Sequence, residues 1–228
     1  ESVATVALLQ SEQSLSLYSG VDIPWADLSY QQAKRAEAAG NYTRSFYGFY
    51  ELLLRARIPF DIVDEQALEE GLPDRCRAIV LPNAACLSDR QCGLLADFVR
   101  QGGLLVADFE TSHYDEAGRR RRDFGLAEVF GASSRNRISA LRRWDYVFVD
   151  PDCGGCLGPL ACDFVPGPRY SIEVTPAPDA GVPAVFSEPI ISNIVPAAAR
   201  SDQPFLVMHR YGQGESLFLP CTFAEFYS

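Results

Sequence analysis

Lysine is all but missing from this sequence. Lys34 is the only one in 228 residues, so nearly all positive charge sits on arginine, a compositional bias that carries no function. Histidine is scarce, leaving His113 and His209 as the only imidazoles available for a base or a metal ligand. No apolar run approaches the roughly 18–20 residues needed to cross a membrane. The start, Glu1-Ser2 running at once into an apolar stretch, has neither the basic opening nor the small-residue cleavage site of a signal peptide. It also lacks an initiator methionine, which points to an excised or processed chain. Net positive charge is absent as well: the formal charge is −10 and the pI is near 4.7. That argues against nucleic acid, whose phosphates attract Lys and Arg. The one basic run, Arg119–Arg122, is answered by Asp115, Glu116 and Asp123 and reads as a solvated turn.

What is present is a chain able to bury a core, with 47% apolar and 22% charged residues. Val3–Leu9 is a compact, β-branched apolar run that fits a buried parallel strand. After it, the connection to Asn41 is long, polar and aromatic, with a short helix expected over Tyr30–Ala39. A connection of that length is usually functional or an interface element. Residues 43–57 repeat apolar side chains at helical spacing (Phe46, Phe49, Tyr50, Leu53), widened by Leu52 and Leu54. Strands are expected at 60–63, 77–81 and 104–109. A helix is expected over 88–101, opened by a Ser88/Gln91 capping box and stopped by Gly102-Gly103. This alternation predicts strands 3–9, 60–63, 77–81 and 104–109 parallel in one sheet with helices on both faces. Further on come a short helix at 124–130, strands at 146–149, 170–174 and 184–186, and a hairpin, 205–210 with 215–219, turning on Gly212 and Gly214. Residues 151–168 read as a Cys/Gly/Pro-rich loop insertion. With no linker or repeat, 1–228 reads as one domain.

Glu12, Asp64, Asn83, Glu110 and Thr111 all follow predicted strand ends, the edge that lines the ligand crevice of an open parallel sheet. Polar residues are also the usual exit from a strand, so both readings stand. Cys86 falls between a strand end and a helix N-terminus, where the helix dipole lowers a thiol pKa; with no histidine near it in sequence, it reads first as a small buried residue. Cys76 and Cys92 read the same way. Cys153, Cys156 and Cys162 have a metal-like first pair but no regular second pair, leaving zinc, a local disulfide or free loop cysteines open. Seven cysteines in a chain this long do not make a secreted disulfide scaffold, and lean towards a reducing, cytoplasmic setting. Tyr18, Trp25, Tyr30 and Tyr42 offer more aromatic area than a polar connector needs, for a subunit interface or a sugar-stacking platform. No metal and no cofactor is called for.

The run FYGFYELLLRARIPFDIVDE, then AIVLPNAACLSDRQ, then GGLLVADFETSHYDE, with YGQGESLFLP near the end, resembles the β-galactosidase trimerisation domain. That domain follows the catalytic barrel in family 42 glycoside hydrolases and occurs in related putative hydrolases. The resemblance implies a flavodoxin-like, three-layer α/β/α sandwich with a mainly parallel sheet, built like a class I glutamine amidotransferase, plus the late hairpin. It also implies, as partners, the rest of a larger glycoside hydrolase chain and further copies of it. In amidotransferases a Cys nucleophile sits on a G-x-C-x-G strand-to-helix turn with a His and a Glu. Here LLVADF is followed by Glu110-Thr111-Ser112, and His209 lies on the late hairpin with no H-x-E spacing. No catalytic residue is therefore assigned. The expectation is a non-catalytic oligomerisation or active-site-rim domain. Its alternatives are a stand-alone hydrolase using Cys86 and a sugar- or small-molecule-binding module.

Overall fold

Short, β-branched apolar segments punctuated by polar exits set the strand pattern. In the computed structural model, which describes residues 2–19, 42–140, 145–150, 164–189 and 199–226, the strands in chain order are Val6–Leu9 (β1), Phe60–Val63 (β2), Ala78–Leu81 (β3), Leu104–Asp108 (β4), Ala132–Ala140 (β5), Tyr146–Val149 (β6), Phe164–Pro166 (β7), Tyr170–Pro176 (β8), Gly181–Ser187 (β9), Arg200–Tyr211 (β10) and Gly214–Leu219 (β11). The helices among the described residues are Glu12–Ser19 (α1), Tyr42–Arg55 (α2), Glu65–Glu70 (α3), Asp89–Arg100 (α4) and Ala127–Phe130 (α5), with a closing 3-10 turn at Phe223–Phe226.

One large sheet runs β2-β1-β3-β4-β11-β10-β9-β6-β7. Its first five strands are parallel, with Val6 opposite both Phe60 and Ala78, Ala78 opposite Leu104, and Leu104 opposite Glu215. The remaining four alternate in direction. The fold is thus mixed α/β on a large sheet, and the four strands expected to be parallel are parallel. Because side chains alternate across a strand, Leu8 and Val80 point to one face and meet Phe46, Phe49 and Leu53 of α2. Ala7, Leu9, Ile79, Leu81 and Leu105 point to the other and meet Leu68 of α3 and Leu95 and Val99 of α4. β5 and β8 form a separate antiparallel pair that packs Ile138, Ile172 and Val174 into that second core.

Several expectations need correction. The polar connection after β1 opens with helix α1. Ser11 caps it, its Oγ accepting from Ser14 N–H at 3.0 Å, and its apolar content is too low for periodicity to reveal it. The helix expected at Tyr30–Ala39 lies outside the described residues. Asp64, at the exit of β2, is the N-cap of α3, accepting from Ala67 N–H at 2.8 Å. Part of the expected 151–168 loop is strand: β7 pairs with β6, Val147 opposite Val165. The late hairpin joins the main sheet: β11 inserts beside β4 and links its parallel and antiparallel halves.

Candidate functional site

In an open parallel sheet, ligands bind beyond the C-terminal strand ends where the strand order reverses. Here that point lies between β1 and β3, and it is filled by the chain's own polar groups. The first turn of α1 sits over it. Glu65, buried at the start of α3, accepts from Ser11 Oγ at 2.7 Å and from the backbone N–H of Glu12 and Gln13 at 3.2 Å each. A carboxylate at a helix N-terminus satisfies otherwise orphan donors and complements the dipole. Ser14 Oγ then accepts from Cys86 N–H at 3.0 Å, tying α1 to the exit of β3.

One turn further, Tyr18 brings together two of the expected residues. Asn83 Nδ2 donates to its hydroxyl at 3.2 Å, and that hydroxyl lies 3.4 Å from Glu110 Oε2. Asn83 Oδ1 accepts from Glu110 N–H at 3.3 Å, and Tyr114 OH donates to Glu110 Oε1 at 3.3 Å. His113 Nδ1 stands 3.6 Å from the same Glu110 oxygen, and its Nε2 meets Asn136 Oδ1 at 3.1 Å. Thr111 folds back on the strand, its Oγ1 donating to Asp108 O at 2.7 Å. Asn83, Cys86, Glu110, Thr111 and His113 are all buried, whereas the side chain of Glu12 points to solvent. Of the aromatic quartet, Tyr18 is half-buried in this cluster. Tyr42 is buried in the domain's own interior, its hydroxyl accepting from Ser11 N–H at 2.7 Å. Trp25 and Tyr30 lie outside the described residues, as do Cys153, Cys156 and Cys162.

The chemistry of this arrangement is that of a buried polar plug, hydrogen-bonded throughout except at His113 Nδ1 and Gln13 Oε1. Burial pushes the Cys86 thiol up to about 12, with Asp115, Glu110 and Glu65 adding repulsion, so the shift is opposite to the lowering by a helix dipole expected from sequence. Burial and the Glu110 carboxylate also raise the Tyr18 phenol. The turn after β4 reverses one residue sooner than expected: Phe109, buried, takes a left-handed φ of 50° and Ser112 takes 64°, and at the exit of β3 Asn83 takes 39°. A bulky side chain there is strained, and such strain persists only where surrounding structure imposes it. Phe109 N–H donates to Leu219 O at 2.8 Å, which pins it. A phenylalanine at that bend supplies no nucleophile.

Sequence reasoning missed Asp108. It ends β4 inside the core, accepts from Asn83 N–H at 2.6 Å and Ser45 Oγ at 2.9 Å, and burial raises its pKa to about 7. An acid closing an otherwise apolar strand was the available signal. Ser14 and Glu65 carried none, because their partners are distant in sequence. Among the described residues no three His, Cys, Asp or Glu side chains group to hold a metal. No helix there is long and apolar enough to cross a membrane.

These features define a class: mixed α/β domains built on a large sheet, parallel through its first five strands and antiparallel beyond. Within it, the chain belongs to the β-galactosidase trimerisation domain family, whose model matches residues 20–165. No curated protein sequence matches it. Among solved structures it is similar to a β-galactosidase from Bacillus circulans sp. alkalophilus, at TM-score 0.73 and 19% identity over 99% of this chain and 30% of that one. A family 42 β-galactosidase from G. stearothermophilus follows at 0.69 and 19%, over 95% of this chain and 27% of that one. A cytoplasmic protein of Salmonella typhimurium LT2 shares the fold at 0.55 and 15%, over 78% of this chain and 75% of that one. The chain therefore spans under a third of the length of these two β-galactosidases.

Proposed function

We propose that this chain is a non-catalytic domain of a larger β-galactosidase-like glycoside hydrolase, serving to oligomerise that enzyme or to shape the rim of its active site. The observation that carries the reading is the match of residues 20–165 to the trimerisation-domain family. Strand order supports the finer architecture: β2-β1-β3-β4-β11 is the 2-1-3-4-5 order of flavodoxin-like folds. With helices against both faces, this favours a single three-layer, amidotransferase-like sandwich. The strand-to-helix turn argues against amidotransferase chemistry, since Phe109 occupies the bend and Cys86 is a buried, protonated thiol. Hydrolysis of a glycoside needs two carboxyls about 5–10 Å apart across a sugar. In the family, those stand in a (β/α)8 barrel of roughly 250 residues.

The purified 228-residue chain is expected to turn over neither glutamine nor a β-galactoside. Turnover of either that disappears in Cys86→Ser or Glu110→Gln contradicts the reading.

A further inference from the structure

Of the two histidines, His113 is fully buried in the polar plug, whereas His209 reaches a cavity on the far side of α5. His209 stands on β10 opposite Ser216 of β11, with 9% of its side chain exposed. Its ring lies against Gly131, the left-handed residue that ends α5. A methyl group at Gly131 would come 2.5 Å from the imidazole Cγ, so the glycine serves the close approach of the ring as well as the turn. One ring nitrogen is committed: Val129 O, in the last turn of α5, accepts from Nδ1 at 3.1 Å and from Ser216 Oγ at 2.6 Å. A carbonyl oxygen only accepts, so Nδ1 carries the proton of the neutral ring and Nε2 a lone pair. That lone pair stands 3.5 Å from Asp179 Oδ2, in the wall of a cavity of about 720 Å³ that both residues line. Asp123 and Glu128 line the same cavity, and no arginine or lysine among the described residues does.

Two acceptors this close repel unless something positive lies between them, and the separation decides what. A direct N–H···O bond from a protonated ring would bring the atoms to about 2.9 Å. A water or ammonium group about 2.8 Å from each would have to meet both at about 77°, well short of tetrahedral. A divalent metal ion about 2.1 Å from each meets them at about 113°, close to the tetrahedral geometry of zinc. The surroundings agree. A metal-binding histidine commonly gives its other N–H to a carbonyl or carboxylate, which fixes tautomer and ring orientation, and Val129 O does so here. Asp179 is itself held on a short turn, where Ala177 N–H donates to Gly131 O at 2.8 Å and Ala180 N–H to Ala177 O at 3.0 Å. Imidazole beside carboxylate suits zinc and its first-row neighbours, whereas calcium and magnesium take oxygen.

We propose that His209 Nε2 and Asp179 Oδ2 bind one divalent transition-metal ion of the zinc class, with water from the cavity completing its coordination. Two protein ligands make this an open site, unlike the closed four-ligand sites of structural zinc. Bound there, the ion fastens the turn between β8 and β9, at the end of the two-stranded sheet, to β10 of the large one. The test is calorimetric titration of this chain with Zn²⁺ at neutral pH, after alkylation under native conditions so that accessible thiols do not compete. Wild type is expected to take up one ion per chain, and excess Mg²⁺ to leave that uptake unchanged. His209→Gln should abolish it. Asp179→Asn should weaken it by about tenfold or more, since even an outer-shell partner is worth that much. Asp179 is 77% exposed, so its change leaves the metal-free melting temperature at the wild-type value; where His209→Gln does not fold, Asp179→Asn decides alone. No uptake by wild type overturns the proposal and leaves the pair to share a proton. Uptake that survives Asp179→Asn undiminished, or that Mg²⁺ displaces, overturns it equally.

Discussion

Asp108 sits at the end of β4, fully buried, with both carboxylate oxygens engaged. Burial lifts its pKa to about 7, only partly offset by the bonds from Asn83 N–H and Ser45 Oγ, and burial does the same to Glu225, also to about 7. In the unfolded chain both ionise near 4. Between about pH 4 and 7 the folded state therefore holds protons that the unfolded state has lost. Stability is full at the acid end of that window, falls as pH rises through about 7, and levels off above. Denaturant midpoints should drop from pH 5 to pH 7.5, and Asp108→Asn should flatten part of that drop. An unchanged slope in the variant would remove Asp108 as its source. At the same scale, Cys86 should resist iodoacetamide at pH 8 until the chain is unfolded, since its thiol is buried and pushed to about 12. Rapid labelling of Cys86 in the native protein would contradict the closed plug. Cys86 was recognisable in sequence as a small buried residue, but the sign of its pKa shift was not. That sign is set first by the depth of burial and reinforced by Asp115, Glu110 and Glu65, which only the fold brings near.

Elements differ in how far local signals announce them. Helix α4 was legible because its capping box is local: Ser88 Oγ accepts from Gln91 N–H at 3.1 Å, and Gln91 Oε1 accepts from Ser88 N–H at 2.8 Å. Ser88→Ala should cost about 1 kcal/mol, read from the denaturant midpoint. Strands β1 to β4 were legible as short apolar runs. β5 was not, since Ser133, Arg135, Asn136 and Arg137 face solvent and a bulge at Asn136, φ 60°, breaks the alternation. Helix α1 was hidden for another reason: its N-terminal donors are satisfied by Glu65 from far along the chain. Glu65→Ala should therefore cost about 2 kcal/mol and selectively lower amide-exchange protection in residues 12–19. A uniform loss across the domain would mean the cap is not local to α1. The C-terminal 3-10 turn is seated by a glycine. A methyl group at Gly48 of α2 would collide with the Ala224 carbonyl. Gly48→Ala should destabilise by about 1–3 kcal/mol, although alanine is the better helix former. A stabilised variant would mean the turn does not hold that position.

At the scale of the whole molecule, β11 joins the two halves of the sheet, carrying the strand order from parallel to antiparallel without a break. The sequence showed the hairpin itself. It did not show where the hairpin docks, because β4 and β11 are separated by more than a hundred residues and nothing local encodes that pairing. The candidate site behaved alike: Asn83 and Glu110 were recognisable as strand exits, while Ser14, Tyr18, Glu65 and Asp108, which close them off, come together only through the fold. A chain whose strand-end crevice is packed with its own side chains suits a part that associates better than one that reacts. Light scattering coupled to size-exclusion chromatography on the natural polypeptide carrying this domain tests that most directly. The account predicts the mass of three copies, falling to one when the domain is deleted; a single copy with the domain intact, at every concentration tried, would contradict it.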